Sequence, residues 1–461
     1  MKKIIPQSIK NIYHLFQAVL ANVWYGFPSR RLLVIGVTGT NGKTTTVQMI
    51  AKILEEAGQK IAVASTINFK IGEKEWVNET KLTTLSIFGL QKHLREAVRA
   101  GCEYAVIEIT SHALDQNRAW GTDFDVAVIT NITREHLDYH GTMEKYAKAK
   151  ERLFKIVSKN QSGVSVVNLG MEFAENFLKY PAGEKYGYCL EMPASPKLQR
   201  GGHNVECPPA SICEVFRAGR TQGHSAKLKT IIARNIKLGI KNTRYQISAS
   251  PAGGQDTNFQ INLPGEFNVE NALAATCVGL SQDIPLEKIA EALAKIKGVP
   301  GRMEQIENDR ELNIIVDYAV TPDSLKKLYD YINGLKKKNA KVIAVFGACG
   351  ERDRGKRPIM GEIVARAADY AIVTNEDPYG EDPQQIIDEV FAGVKKHKEE
   401  NENAWRILDR REAIKKALRI AKPGDIVVVT GKGAEEIMAV GDDRISWNDP
   451  RAIREVLQEL R

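Results

Sequence analysis

Apolar and polar positions along this chain follow two periods, and their alternation divides it into recurring strand and helix units. The β-branched run Leu32-Leu33-Val34-Ile35-Gly36-Val37 reads as a buried strand. It breaks into Thr38-Gly39-Thr40-Asn41-Gly42-Lys43-Thr44-Thr45-Thr46, and a helical pattern then starts near Val47 and ends at Gly58. Ile61–Ala64 is a short strand, and a helix through about Ala100 follows Lys81-Leu82-Thr83-Thr84. Cys102–Thr110 is a buried strand carrying Glu108 near its end. Asp125–Thr130 is another, leading into Asn131-Ile132-Thr133-Arg134-Glu135-His136-Leu137-Asp138. Phe259–Leu263 alternates like a strand, Leu286–Ile296 like a helix, and the proline and glycine of Val299–Arg302 mark a hinge. Beyond it come strands at Ile314–Asp317, Val342–Phe346, Tyr370–Thr374 and Asp425–Thr430, with a helix from Pro322.

Strand–helix alternation of this kind predicts an α/β protein whose ligands sit at the carboxyl ends of parallel strands. Three regions are expected: an N-terminal amphipathic helical segment (1–33), a P-loop central domain with a mainly parallel sheet (34–300), and a Rossmann-like α/β C-terminal domain (301–461). In the first, Ile5, Ile9, Ile12, Phe16, Val19 and Val23 fall at helical spacing, so residues 7–24 are expected to pack as a helix on the body of the protein. Attachment to a membrane surface is the alternative, disfavoured by a polar face that is not notably basic. Gln7, Lys10, Asn11, His14 and Gln17 interrupt any run long enough for a secretory or transmembrane segment.

Composition changes this picture little. A chain of 461 residues with 43% hydrophobic content has ample core for two or three domains. Its net charge of +8 suits anionic substrates, but Lys and Arg are interleaved with acids and no aromatic-studded basic strip points to nucleic acid. Cys102, Cys189, Cys207, Cys213, Cys277 and Cys349 contain no C-x-x-C pair, which fits reduced thiols in a cytoplasmic protein. A monomer is the expected state.

Candidate chemistry begins at the first strand. Glycines ending in Gly42-Lys43-Thr44 before a helix form a phosphate cradle: backbone N–H groups approach phosphate oxygens, and the helix presents its positive dipole end. Gly39, Thr40, Asn41, Gly42, Lys43, Thr44 and Thr45 are therefore the candidate nucleotide loop, with Lys43 reaching the β/γ-phosphates and Thr44 holding Mg²⁺. Val37 stands where the strict pattern has its first glycine, so the loop is a variant. Glu108 and His136, expected on the same rim, can ligate a metal bridging the phosphates; a lone histidine would more often be structural. Lys150, on a helical stretch, is by pattern alone a solvated surface lysine.

These segments, taken with Asp115-Gln116-Asn117-Arg118, Asn131 to Gly141 (N-I-T-R-E-H-L-D-Y-H-G), Tyr146 to Phe154, Gly265 to Ala272, Val299 to Glu304 and Val316 to Ala319, resemble the Mur ligases. These are ATP-dependent amide-bond synthetases of peptidoglycan precursors, and the UDP-N-acetylmuramoyl-tripeptide synthetase (MurE-type) branch is the most similar. The resemblance runs from about residue 34 to the C-terminus. It implies Thr44, Glu108 and His136 around magnesium, and Lys150 as a carbamylated lysine that offers Mg²⁺ an oxygen where an ammonium would repel it. It further implies Thr83, Thr84, Ser111, Gln116 and Arg118 at the muramoyl-peptide, Asn268 and Asn271 at adenine, Arg302 at phosphate and Asp317 at ribose. Gly431 and Glu435, in Thr430-Gly431-Lys432-Gly433-Ala434-Glu435, would face the incoming amino acid together with Glu376, Asp377 and Tyr379.

The implied reaction uses ATP to convert a peptide carboxylate into an acyl phosphate, which an amino acid's amine attacks. Lys43, Arg302 and two Mg²⁺ would offset the anionic charge, and closing of the C-terminal domain would exclude water. Three departures stand out. Only 33 residues precede the loop strand, against a family N-terminal UDP-binding domain of about a hundred residues, so that domain is expected to be truncated. Val320 and Ala434 replace histidines of the family motifs. Glu376-Asp377-Pro378-Tyr379 stands where D-N-P-R marks diaminopimelate-adding enzymes, and Tyr379 cannot clamp a carboxylate as arginine would. Lysine-like or other diamino acids are thus as open as diaminopimelate. A folylpolyglutamate or cyanophycin-type synthetase, or a nucleotide-binding module without catalysis, are the other classes.

Overall fold

The computed structural model describes residues 6–80, 82–191, 226–239, 241–248 and 256–460. Ile5, Lys81, Cys207, Cys213 and most of the Pro181–Gly223 stretch lie outside them. The chain divides into two compact units, Met1–Ile132 with Thr142–Lys297, and Thr133–Gly141 with Gly298–Arg461.

The first unit is built on strands β1 (Leu33–Thr38), β2 (Ile61–Ala64), β3 (Asn68–Ile71), β4 (Lys74–Val77), β5 (Tyr104–Glu108), β6 (Val126–Ile129), β7 (Val164–Asn168), β8 (Glu184–Leu190), β9 (Leu228–Leu238), β10 (Thr243–Ser248) and β11 (Thr257–Ile261). They form one sheet in the order β11-β10-β9-β8-β7-β6-β1-β5-β2-β3-β4. From β9 to β2 the pairing is parallel, and the strands at each edge are antiparallel. The central strands are buried along nearly their whole length, as parallel strands covered on both faces must be. β1 lies between β5 and β6, with Val37 opposite Glu108 and Thr38 opposite Ile129. The chain leaves β1 where its neighbours run to either side of it, the crevice position in which open α/β sheets bind ligands.

Helix α1 (Gln7–Tyr25) carries the predicted amphipathic pattern but turns it the other way. Its small side chains, Ala18 and Ala21, pack against Ile87 of α3 (Ile87–Arg99), while Ile9, Ile12, Phe16, Val19 and Val23 are exposed. The expectation that this apolar face is the packing face is corrected. Only alanines let the helix sit close to its neighbour, and Asn22 fastens it by donating Nδ2 to Trp120 O at 2.8 Å. Helix α2 (Lys43–Glu56) starts four residues before the predicted Val47, directly out of the glycine loop.

The second unit has a six-stranded sheet, β12 (Glu304–Ile306), β13 (Asn313–Asp317), β17 (Ile426–Thr430), β14 (Val342–Phe346), β15 (Tyr370–Thr374) and β16 (Ala404–Ile407), in that spatial order. All its pairs are parallel except β12–β13. A separate hairpin, β18 (Ile437–Val440) and β19 (Asp443–Ser446), follows β17. The segment 133–141 belongs to this unit, where Arg134 Nη2 lies 3.8 Å from Asp353 Oδ2. No described helix is long and apolar enough to cross a membrane.

Candidate active site

The loop after β1 is held by hydrogen bonds from the end of β6. Thr40 N donates to Asn131 O (2.9 Å), Asn41 N to Asn131 Oδ1 (2.9 Å), and Asn131 Nδ2 and Thr130 Oγ1 both donate to Asn41 O (3.0 and 2.7 Å). Gly42 caps α2 at φ +83, where a Cβ would lie 2.1 Å from Asn271 Oδ1, so close approach and left-handed backbone both require glycine. Lys43 folds back and donates Nζ to Thr40 O at 2.8 Å.

Glu108 ends β5 beside this loop. Its Oε2 accepts from Thr44 Oγ1 (3.0 Å), Thr66 N (2.9 Å) and Thr66 Oγ1 (2.9 Å), and the carboxylate is buried. Thr44 and Glu108 thus offer the hard oxygen donors that Mg²⁺ requires, at a helix N-terminus suited to phosphate, so the residues fit both groups. Among the described residues no cluster of three or more His, Cys, Asp and Glu forms a further metal site. His136 belongs to the 133–141 segment of the second unit, at φ +55, with Nε2 3.8 Å from Glu135 Oε2.

Lys150 corrects the pattern reading. It lies on α5 (Met143–Val157), is 1% exposed, donates Nζ to Gly39 O at 2.7 Å and stands 4.6 Å from the Tyr146 ring centroid. Alternation of Ala147, Lys148, Ala149 and Lys150 gave no hint that one lysine turns inward. Tyr146, whose OH lies 3.1 Å from Thr40 Oγ1, is a second loop contact that pattern did not single out, and Asn131 a third.

The predicted acceptor residues adjoin the end of β5. Thr84 Oγ1 accepts from Thr110 N (2.9 Å) and donates to Glu108 O (3.2 Å), while Arg118 Nη2 donates to Thr84 O and Leu85 O, each at 3.0 Å. Thr83 is half-buried in the same turn, Ser111 is buried at the start of the short helix α4 (Ser111–Asp115), and Gln116 follows it. Asn268 and Asn271 lie in the first turns of α6 (Glu266–Ser281), joined by Asn271 Nδ2 donating to Asn268 Oδ1 (3.1 Å); Thr46 Oγ1 reaches Asn271 Oδ1 at 3.4 Å.

In the second unit, Asp317 Oδ2 accepts from Met303 N (2.8 Å), and the Arg302 guanidinium lies 4.4 Å from the Tyr318 ring centroid. Burial pushes the Asp317 carboxyl up, against the pull of Arg302. A second polar centre collects at the ends of β15 and β17. Lys432 is fully buried and donates to Asp377 Oδ1 and Oδ2 (3.0 and 2.9 Å), to Ile437 O (2.8 Å) and to Glu435. Tyr318 OH donates to Glu435 Oε1 at 3.2 Å. Glu376 is 1% exposed; Cys349 Sγ donates to its Oε1 (2.8 Å), Oε2 has no hydrogen-bond partner, and burial raises its pKa. Gly431 adjoins it, and Tyr379 sits at φ +51, pushed up to about 12 by burial. Lys432 was visible only as part of G-K-G; its burial depends on Asp377, an acid 55 residues away.

Comparison with known proteins places this geometry. Residues 37–199 match the Mur ligase middle domain, and residues 301–433 the Mur ligase glutamate ligase domain. The UDP-N-acetylmuramyl-tripeptide synthetase of Roseiflexus sp. (strain RS-1) is 38% identical over 456 residues, which cover 96% of this chain and 82% of that protein.

The chain belongs to the Mur ligase family.

It is accordingly an ATP-dependent ligase that forms amide bonds, and members of the family use ATP and Mg²⁺. The UDP-N-acetylmuramoyl-L-alanyl-D-glutamate--2,6-diaminopimelate ligase of Geobacillus thermodenitrificans (strain NG80-2) is 37% identical over 461 residues, 99% of this chain and 84% of that one. A solved structure of a ligase with the same name shares 32% identity at a TM-score of 0.56, covering 93% of this chain and 79% of the other. The Mycobacterium tuberculosis folylpolyglutamate synthase complexed with ADP, 16% identical at a TM-score of 0.64, covers 93% and 92% and shares the Mur ligase fold.

Proposed function

We propose that this Mur ligase joins the amine of a diamino acid to the peptide carboxylate of a muramoyl-dipeptide, through an acyl phosphate, in peptidoglycan biosynthesis in the cytoplasm. The observation that carries the reading is the Thr44–Glu108 hydrogen bond at the mouth of the β1 loop, with Lys43 and Lys150 on the same loop backbone. Gly39–Thr45 bind the triphosphate through backbone N–H groups, and Lys43 exchanges its bond to Thr40 O for a phosphate oxygen. Thr44 and Glu108 would hold Mg²⁺, with His136 as a further candidate ligand, and the bound ion would supply neutralisation of phosphate charge. Asn268 and Asn271 contact adenine, and Arg302 and Asp317 phosphate and ribose. The proposed functional domains are 34–300 and 301–461, preceded by the helical segment 1–33.

Lys150 acts as its carbamate. A buried ammonium bonded to a carbonyl is a poor neighbour for metal, whereas the carbamate brings two oxygens to the same place. Thr83, Thr84, Ser111, Gln116 and Arg118 receive the muramoyl-peptide. The carboxylate oxygen attacks the γ-phosphorus and ADP leaves; the amine then attacks the carbonyl carbon and expels phosphate, losing a proton. Glu376, Asp377, Tyr379, Gly431 and Glu435 form the amino-acid side. A buried acid with one unpartnered oxygen favours a cationic side-chain terminus, and Tyr379 offers no charge to a carboxylate one, so a lysine-like substrate is preferred to diaminopimelate.

The test is phosphate release measured over a grid of acceptors (UDP-linked and free muramoyl-dipeptide) and amino acids (lysine, ornithine, diaminopimelate). Release that needs both partners and is fastest with a basic amino acid supports the reading. Hydrolysis indifferent to both contradicts it.

A further inference from the structure

Helix α1 leaves a stripe of large apolar side chains uncovered. Ile9, Ile12, Tyr13, Phe16, Val19, Leu20, Val23 and Trp24 recur at alternating steps of three and four, and Phe16 and Trp24 are 66% and 76% exposed. Scattered single apolar side chains are ordinary on a protein surface, but a contiguous stripe of this kind marks an interaction site. The helix is not merely frayed from the body: its opposite face is buried through Ala18, Ala21 and Asn22, and Asn11 Nδ2 donates to Asp115 O at 3.1 Å.

Charge selects the occupant. The first 54 residues contain Lys2, Lys3, Lys10, Arg30, Arg31, Lys43 and Lys52 and no Asp or Glu, and no Lys or Arg lies between Asn11 and Ser29. The helix's own polar face is not basic, which by itself argues against lipid; the cations stand instead at the two ends of the stripe, Lys10 at its head and the exposed Arg30 and Arg31 just beyond its tail. Arg30 also meets the exposed Asp123 at 3.5 Å, a contact in water of little strength. Pairing with a second copy would set Lys10 against Lys10 in parallel, or against Arg30 and Arg31 in antiparallel. An anionic lipid surface meets all three cations with opposite charge and takes up the stripe, with Tyr13 and Trp24 at headgroup depth.

We propose that α1 is an in-plane membrane anchor that docks the first unit on an anionic bilayer. Asn11 and Asn22 tie the helix to the 115–120 backbone that carries Gln116 and Arg118, so docking sets that turn close to the lipid. The inference stands apart from the choice of substrates above.

The experiment is co-sedimentation of the full chain with vesicles of phosphatidylglycerol-rich or pure phosphatidylcholine composition at low and high salt. Expected is binding to the anionic vesicles that weakens with salt, falls about tenfold or more in Ile12→Ser/Phe16→Ser/Trp24→Ser, and loses its anionic preference in Arg30→Glu/Arg31→Glu. Thermal melting of the variants should match the parent, since the replaced side chains are exposed. No binding to either vesicle, equal binding to both, or a sedimentation-equilibrium dimer that the triple variant dissolves would overturn the proposal.

Discussion

The loop Gly39–Thr46 and the charged centre around Glu376 and Lys432 are both buried, polar and placed at the ends of parallel strands, yet they are stabilised in opposite ways. In the loop, the polar groups are mainly backbone, satisfied by neighbours such as Thr130 and Asn131, and the glycines are required by conformation. In the second centre, full charges are held by other charges: Lys432 between Asp377 and Glu435, and Arg410 by two hydrogen bonds to Asp449 (2.8 and 2.7 Å). A backbone cradle tolerates loss of a side chain structurally and fails chemically. A buried ion cluster does the reverse, because removing one partner strands the other.

Lys43→Met should expose that difference most strongly. Phosphate release is expected to fall by about a thousandfold or more, the scale at which preorganised charge contributes to phosphoryl transfer, with melting unchanged. Loss of folding instead would mean that the Lys43 bond to Thr40 O is structural. Asp377→Asn is the converse case: it leaves the Lys432 ammonium undercompensated and is expected to cost about 3 kcal/mol of stability, read by denaturant unfolding. A change below about 0.5 kcal/mol would show that Glu435 alone suffices.

The contrast also explains what was legible beforehand. The strands Val342–Phe346 and Tyr370–Thr374, and the loop that opens α2, are encoded within a few residues by β-branched runs and glycines, so periodicity finds them. The inward turn of Lys150 and the burial of Lys432 depend on partners far along the chain, Gly39 in one case and Asp377 in the other. Resemblance to a family supplied Lys150 where periodicity made it a surface residue. The face on which α1 packs was misread for a related reason: amphipathicity marks an apolar stripe, and here the body takes the alanines and leaves the stripe outside.

Lys150→Ala should lower activity by about a hundredfold, with partial recovery on adding a short carboxylic acid, since the proposed carbamate is a carboxylate equivalent. Full activity in Lys150→Ala would remove the carbamate from the account. Glu376→Gln is the subtlest variant. Because burial raises the Glu376 pKa in the native state, the native fold holds this proton more tightly than the unfolded chain does. Its stabilising share is present at low pH and is lost as pH rises through the native value. Glu376→Gln is therefore expected to raise stability by about 1 kcal/mol at pH 7 while raising KM for the amino acid, with the stability gain shrinking as pH falls. A gain that persists in acid would contradict that origin.

The central claim is that the loop, Glu108 and Lys150 serve a carboxylate-activating phosphoryl transfer. The most direct measurement uses a muramoyl-dipeptide whose reacting carboxylate carries isotopically labelled oxygen, with mass analysis of the phosphate released during ligation. Passage through an acyl phosphate moves one labelled oxygen into each phosphate. Unlabelled phosphate, formed at the same rate with or without the amino acid, would contradict the account.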